Sequence, residues 1–481
     1  MSLNLRMVVH LLGWVLCIES LFLCFPLVAS VIFWEPVIWV YVVVALGCLV
    51  VGFALTRCKP KRTDFYAPEG FVTVALSWIL LGMTGSIPFV LTGEVPFYID
   101  ALFETVSGFT TTGATILTDV ETLSKASLLW RSTTHWVGGM GVLVFVLAII
   151  PLVGGHSIYL LRAESPGPSV SKFGPHMKDT AITLYKIYMA MTLIQMVLLL
   201  LGRVPLFDAL NIAMSTAGTG GFGLYNTSIA GYSVYVQVVV AIFMLLFGVN
   251  FNLYYALLCR RAKDVFKSEE LRVYLALAAF ATITIAINIV RQVGSVSEAL
   301  NQAFFQVTSI MSTTGFSTAD FNLWPDYSRT LLVILTIIGA CAGSTAGGMK
   351  ISRVILLVKH VRRELRFLNH PRSVEVIHFE GKRVQHEVSR SVNAFLIVYL
   401  MIFVCSMVLL SADHFDFVTN FTATATTLGN VGPGLNIVGP TGNFSGFQPL
   451  SKLVLIFDML AGRLELFPML LLFTPSTWRN R

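Results

Sequence analysis

The sequence predicts an all-α integral membrane protein of ten transmembrane helices. Two N-terminal helices precede four parallel copies of one span–half-helix–turn–span unit. Three observations predict this. Of 481 residues, 55% are hydrophobic and only 12% charged, with a mean hydropathy of +0.76. An ordinary soluble domain carries about twice that charge fraction, which excludes a soluble enzyme. The chain also holds ten apolar runs near the roughly 20 residues that cross a bilayer as a helix. Finally, four long connections between the runs repeat one short pattern around a glycine.

The runs are Met7–Ala29, Val37–Leu55, Phe71–Leu91, Trp130–Val153, Ile182–Leu201, Val234–Leu258, Val273–Val290, Leu331–Val358, Ala394–Leu410 and Leu453–Phe473. Arg6 precedes the first, but no small-residue cleavage site follows a short apolar core, so this run is expected to stay as a helix. With the N-terminus inside, 26 of the 33 Lys and Arg residues fall in inner segments or at the inner ends of the runs. Six fall outside (Lys125, Arg131, Arg203, Arg291, Arg329, Lys452), and Arg463 lies within the last run. This bias is the positive-inside rule, and it accounts for the net charge of +7 without nucleic acid. The outer segments carry 12 acids, a surface that concentrates cations. Seven cysteines lie in or beside apolar stretches with no metal-type spacing, and are expected to be small packing residues.

Ten spans with both ends inside leave four long outer connections, 92–129, 202–233, 291–330 and 411–452. Aligned on Gly113, Gly221, Gly315 and Gly432, they read FETVSGFTTTGA, NIAMSTAGTGGF, QVTSIMSTTGFS and ATATTLGNVGPG. A hydroxyl stands six residues before each glycine, at Ser107, Ser215, Ser309 and Thr426. Earlier still comes an amphipathic stretch opened by an acid, at Asp100, Asp208, Glu298 and Asp416. An acid there complements a helix dipole and helps satisfy its first N–H groups. The units are expected to be 67–160, 161–262, 263–388 and 389–481, after two helices in 1–66.

A half-helix entering from outside aims its partially negative C-terminus at the bilayer middle. Thr and Gly follow, and glycine admits the positive φ that turns carbonyls inward. Irregular backbone at membrane depth survives only when buried in protein or lining water. Four such turns about one axis would ring a pore with carbonyl oxygens, a filter for a dehydrated monovalent cation. No carboxylate stands at the glycine positions, which argues against a divalent-selective ring. Taken singly, each turn could be an outer loop, and duplication also occurs in transporters with inverted repeats. Here every unit starts and returns inside, so the copies are parallel.

Two inner features stand out. Ala340–Gly348 (ACAGSTAGG) interrupts a span, and from Ala342 onward all seven residues are Gly, Ala, Ser or Thr. Each glycine costs a helix about 1 kcal/mol relative to Ala, so either a break or a close helix–helix contact is expected. Lys350 at its inner end can snorkel to the cytoplasm. Arg463 within a span must find partners or water. Glu465 and Asp458 have the wrong helical spacing to serve it.

Several stretches together resemble the Trk potassium-uptake family: DALFETVSGFTTTGAT (100–115), RSTTHWVGGMGVLVFVLAIIP (131–151), AESPGP (163–168), STTGFST (312–318), GACAGSTAGGMK (339–350), NHPR (369–372), NVGPG (430–434) and GRLELFP (462–468). The resemblance covers essentially the whole chain. It implies a potassium filter of Thr110, Thr111, Thr112 and Gly113; Gly218, Thr219, Gly220 and Gly221; Ser312, Thr313, Thr314 and Gly315; and Gly429, Asn430, Val431 and Gly432. The fourth set departs most from the Thr-rich pattern. It further implies an intramembrane gate loop with Gly343, Ser344, Thr345, Gly347 and Gly348, and Arg463 beside the path as an electrostatic barrier. Potassium would be the substrate, and no cofactor is implied for this chain.

The resemblance also implies the bacterial inner membrane with both termini cytoplasmic, a homodimer, and a cytosolic nucleotide-binding regulatory ring of TrkA type. The inner segment 359–390 holds eight Lys and Arg and His360, and membrane lipid is its default partner. The chain has no Gly-rich phosphate loop and no catalytic triad, so it is expected not to be an enzyme. The sequence leaves two rivals. One is a sodium- or proton-coupled symporter with Asp458 or Glu465 as carrier; the other is a sensory scaffold that only docks the ring.

Overall fold

The computed structural model describes residues 4–59, 67–153, 177–371 and 376–478. The boundary at 160/161, residue 66 of the first boundary, AESPGP (163–168) and Arg372 of NHPR lie outside the described residues. The chain is mostly helical. Among the described residues, six helices are long and apolar enough to cross a membrane: Leu5–Ile32, Ile38–Thr56, Glu69–Thr92, Ile182–Leu201, Glu269–Val293 and His386–Asp413. Val234–Phe247 and Phe251–Leu258 count as a seventh if taken as one span, but they meet at 89°.

That bend corrects the expectation of one continuous helix over Val234–Leu258. Asn250 caps the second piece by accepting from the N–H of Asn252 at 2.9 Å, and the N–H of Phe251 donates to the carbonyl of Gly343 at 3.0 Å. The run 331–358 likewise divides into Asp326–Ile338 and Ile351–Asn369. The last run divides into Pro449–Arg463 and Phe467–Leu472. Glu465 and Leu466, with φ of 58° and 68°, form the left-handed break between the latter two.

Beside its apolar core, the chain exposes long apolar faces and buries a polar centre, unlike a soluble protein. Val43, Leu46, Val50 and Phe53 of the second helix stay exposed, as do Ile397, Met401, Val404 and Val408. The interior holds Thr110, Thr111, Thr112, Ser312, Thr313, Thr314 and Asn430, each fully buried. Apolar side chains outside and polar ones inside suit a chain whose outer solvent is lipid.

The two N-terminal helices cross at a pair of glycines. A Cβ built on Gly13 would lie 2.7 Å from the carbonyl oxygen of Gly52, and one on Gly52 would lie 2.8 Å from that of Gly13. Small residues permit this close approach. Phe22 and Phe25 then meet Trp136 edge-on, at 6.5 and 6.4 Å.

The four connections 92–129, 202–233, 291–330 and 411–452 join in a closed cycle. The N–H of Val120 donates to Asn226 Oδ1 at 2.9 Å, and that of Ile229 to the carbonyl of Ser317 at 3.1 Å. The N–H of Asn436 donates to Asn322 Oδ1 at 2.8 Å, and that of Phe444 to the carbonyl of Thr115 at 2.8 Å. The first connection thus meets the second, the second the third, the third the fourth, and the fourth the first. A small hairpin, His378–Phe379 against Lys382–Arg383, lies in the basic segment 359–390.

Candidate functional site

Four half-helices, Tyr98–Phe109, Leu206–Gly218, Val296–Met311 and Phe417–Leu428, run toward the centre of the cycle. Asp100, Asp208 and Glu298 sit in the first turns of three, and Asp416 caps the fourth. Partial burial opposes ionisation of Asp416, but hydrogen bonds from Thr419 and Asn436 outweigh it and hold the carboxyl below the usual range. Burial and then the Asp208 charge raise the Tyr225 and Tyr232 phenols. Both donate to Asp208 Oδ2, at 3.2 and 3.0 Å.

All four half-helices end identically. The N–H two residues before each glycine bonds the carbonyl five before it: Thr111 to Gly108, Thr219 to Thr216, Thr313 to Ile310 and Asn430 to Thr427, at 3.0, 3.0, 3.0 and 3.2 Å. The N–H one before bonds the carbonyl six before: Thr112 to Ser107, Gly220 to Ser215, Thr314 to Ser309 and Val431 to Thr426, at 2.9, 3.0, 2.8 and 2.8 Å. This is the Schellman pairing, which requires a left-handed residue. That residue is Thr111, Thr219, Thr313 or Asn430, with φ of 55°, 55°, 57° and 52°. Each costs about 1–2 kcal/mol for an L-residue, strain that persists only where the surroundings enforce it.

The glycines then close a ring. Their φ values are 77°, 81°, 85° and 95° for Gly113, Gly221, Gly315 and Gly432. A Cβ on Gly113 would lie 2.0 Å from the carbonyl oxygen of Gly220. One on Gly221 would lie 1.9 Å from that of Thr314, one on Gly315 2.2 Å from that of Val431, and one on Gly432 2.6 Å from that of Thr112. Each turn therefore abuts the next, in chain order, and the fourth abuts the first. A cavity of about 120 Å³, lined by all four glycines with Arg131, Asn226 and Asn443, opens above them.

Side chains brace the ring. Thr110 Oγ1 meets Thr112 Oγ1 at 2.8 Å, and Ser312 Oγ meets Thr314 Oγ1 at 2.7 Å. Asn430 Nδ2 donates across to Thr112 Oγ1 at 3.0 Å and to the carbonyl of Met459 at 2.9 Å. The departure from Thr at 430 thus joins the fourth turn to the first. Ser215 and Ser309 donate to the carbonyls of Phe222 and Phe316, at 3.1 and 2.6 Å. Thr426 instead bonds within its own helix. Glu104 and Arg131 form a buried pair at 2.9 Å; Glu104 also accepts from Thr115 and from the N–H of Ile116.

The small-residue stretch is a loop from 339 to 350, with left-handed Gly339, Gly343, Gly348 and Lys350. It packs against the ring, and none of its residues lines the cavity. The N–H of Gly347 donates to Thr313 Oγ1 at 2.7 Å, and a Cβ there would lie 2.5 Å from the carbonyl oxygen of Gly429. Ser344 Oγ closes on the carbonyl of Cys341 at 2.6 Å. Gly348 packs on Gly339, where a Cβ would lie 2.7 Å from the Gly339 Cα. Arg463 reaches the loop from the end of the helix Pro449–Arg463, donating to the carbonyls of Thr345 and Gly138, both at 2.7 Å.

Four residues of this region went unread in the sequence. Glu270 Oε1 accepts from the N–H of Ala342 at 2.7 Å and of Ser352 at 3.1 Å, holding both ends of the loop. Gly248 and Asn250 clasp its flank, the carbonyl of Gly248 accepting from Cys341 at 3.1 Å. His135 stands behind Gly220. One further reading changes, that of Lys350, while Glu465 and Asp458 serve groups other than Arg463, as their spacing indicates. Lys350 is buried, its ammonium donating to the carbonyl of Ala346 rather than snorkelling. Glu465 pairs with Arg353, and Asp458 accepts from Ser406 at 2.7 Å. Among the described residues, no group of three His, Cys, Asp or Glu is placed to hold a metal.

The family profile described as "TrkH: Cation transport protein" matches residues 41–480. The chain is 37% identical over 429 residues to the Trk system potassium uptake protein TrkH of Escherichia coli (strain K12), covering 88% of each. It is 35% identical over 486 residues to the protein of the same name from Halomonas elongata, covering 99% of this chain and all of the other. The crystal structure of the potassium transporter TrkH from Vibrio parahaemolyticus superposes with a TM-score of 0.89 at 32% identity, over 99% of this chain and 100% of that one.

Proposed function

The chain belongs to the TrkH family of cation transport proteins, and from that premise we propose that it takes up potassium through the ring of glycine turns. It is a membrane transport protein and not an enzyme. Potassium would lose its hydration shell to backbone carbonyl oxygens supplied by residues 110–113, 218–221, 312–315 and 429–432, as carbonyl rings do in potassium filters. The single observation that carries this reading is the head-to-tail contact of Gly113, Gly221, Gly315 and Gly432. Four backbone turns held in strained left-handed geometry form a rigid set of dipoles with no carboxylate at the glycine positions.

Below the ring, the loop with Gly343, Ser344, Thr345, Gly347 and Gly348 is the gate. Its contact with Thr313 blocks the path at the filter's inner end, and Arg463 adds a positive charge. The membrane potential drives entry with about 2.3 kcal/mol per charge per 100 mV. The ten-span reading with its four units belongs to this proposal. So do a bacterial inner-membrane location with cytoplasmic termini, a homodimer, and a cytosolic nucleotide-binding ring of TrkA type acting on the gate. The coupled-symport reading loses ground, because Glu465 is engaged by Arg353 and Asp458 by Ser406.

The test is ion flux into proteoliposomes of the purified chain. Rubidium and potassium are expected to enter down a membrane potential with sodium excluded, and with no dependence on a sodium or proton gradient. Absence of cation flux, or equal entry of sodium, would overturn the proposal.

A further inference from the structure

At the position just before the ring glycine, three turns carry a side chain: Thr112, Thr314 and Val431. The second carries Gly220, and the space of its missing side chain is occupied. A Cβ built there would lie 1.2 Å from His135 Nδ1 and 2.1 Å from Cε1, so the imidazole fills that volume. His135 belongs to the helix Lys125–Val153 of the preceding unit, which rides closely on the second half-helix. A Cβ on Gly218 would lie 2.2 Å from the carbonyl oxygen of His135. The imidazole is fully buried and stands edge-on to Phe222, centroids 4.1 Å apart. Neither ring nitrogen has a hydrogen-bond partner among the described residues; shape and packing hold it.

We propose that His135 is a specificity-determining residue: its imidazole substitutes for the absent side chain of Gly220 and fixes the second carbonyl turn at the width that prefers potassium. The inference rests on the potassium-filter reading. A turn ending Thr-Gly-Gly is the most pliable of the four, because glycine has the widest conformational range. The carbonyl of Gly220 abuts Gly113, so slack in the second turn passes to the first. Selectivity in a carbonyl ring depends on the spacing and field of its oxygens. The supporting ring comes from a neighbouring unit, which couples two turns through one side chain.

The experiment is a volume exchange read by rubidium and sodium flux in proteoliposomes. His135→Gly is expected to lower the rubidium-over-sodium preference about tenfold, equivalent to about 1.4 kcal/mol. Gly220→Thr alone forces a side chain into the imidazole and is expected to abolish rubidium flux. The double variant, His135→Gly with Gly220→Thr, is expected to recover most of the preference. A His135→Gly protein with wild-type preference, or a double variant no better than Gly220→Thr, would overturn the inference. If Gly220→Thr does not yield monodisperse protein, His135→Leu decides the matter: filling the same space without nitrogens, it is expected to keep the preference, and its loss would overturn a volume role. A wild-type chain without rubidium preference would overturn the filter reading itself, whereas wild-type preference with an indifferent His135→Gly overturns this inference alone.

Discussion

The hydroxyl of Thr313 accepts a hydrogen bond from the backbone N–H of Gly347 at 2.7 Å. Thr313 is the left-handed residue that ends the third half-helix, and Gly347 lies in the small-residue loop. One hydrogen bond thus joins the strained turn of the ring to the segment proposed as its gate. The loop cannot leave without either taking that turn with it or giving up the bond.

Thr313→Val keeps the shape and branching of the side chain but strands the Gly347 N–H. An unpaired buried donor costs about 1–3 kcal/mol, charged here to the closed loop. Rubidium flux through the chain without its cytosolic partner is expected to rise several-fold. Unchanged flux would sever the proposed link between ring and loop.

Arg463 pins the same loop from the other side, through the carbonyls of Thr345 and Gly138. Arg463→Ala removes both bonds and the positive charge. Flux is expected to increase, with Arg463→Lys intermediate because an ammonium lacks the planar fork that reaches two carbonyls. If Ala and wild type conduct alike, the residue has only a structural role.

Gly315→Ala and Gly93→Ala form a matched pair. Both glycines have positive φ, 85° and 76°. A Cβ on Gly315 would lie 2.2 Å from the carbonyl oxygen of Val431, whereas one on Gly93 meets nothing within 4 Å. Gly93→Ala should therefore show only the backbone penalty, about 1–2 kcal/mol, as a lowered melting temperature with normal flux. Gly315→Ala should lose flux or admit sodium. Equal effects on flux would mean that the ring contact has no special role.

Glu104→Gln breaks the buried pair with Arg131 behind the first turn. Removing one partner of a buried ion pair costs about 3–5 kcal/mol, because Arg131 keeps a desolvated charge. A large drop in thermal stability is expected in detergent, and a drop near zero would show that water reaches the site.

What the sequence made legible was periodic. The four glycines recur in one register with the hydroxyls six residues before them, an acid opens each preceding stretch, and the structure places a left-handed residue two positions before each glycine. Thr-rich turns and a run without bulk also announced the loop. Other features were hidden because they depend on what lies across the fold. Nothing local to His135 indicates that it fills the place of a side chain 85 residues later, at Gly220. The bend at Gly248–Asn250 interrupts an otherwise continuous apolar run, and its cause, the contact with Gly343, is remote in the chain. Lys350 fits a snorkelling lysine by sequence, yet the carbonyl of Ala346 takes its ammonium. Glu270 looks like an ordinary acid in a first helical turn, and only the loop's return makes it a clamp on Ala342 and Ser352.

The most direct test of the central claim is anomalous diffraction from crystals of the purified chain grown in rubidium. Rubidium is expected on the axis enclosed by Gly113, Gly221, Gly315 and Gly432, beside the carbonyl oxygens of Thr112, Gly220, Thr314 and Val431. A ring empty of rubidium while the ion binds elsewhere in the protein would contradict the account.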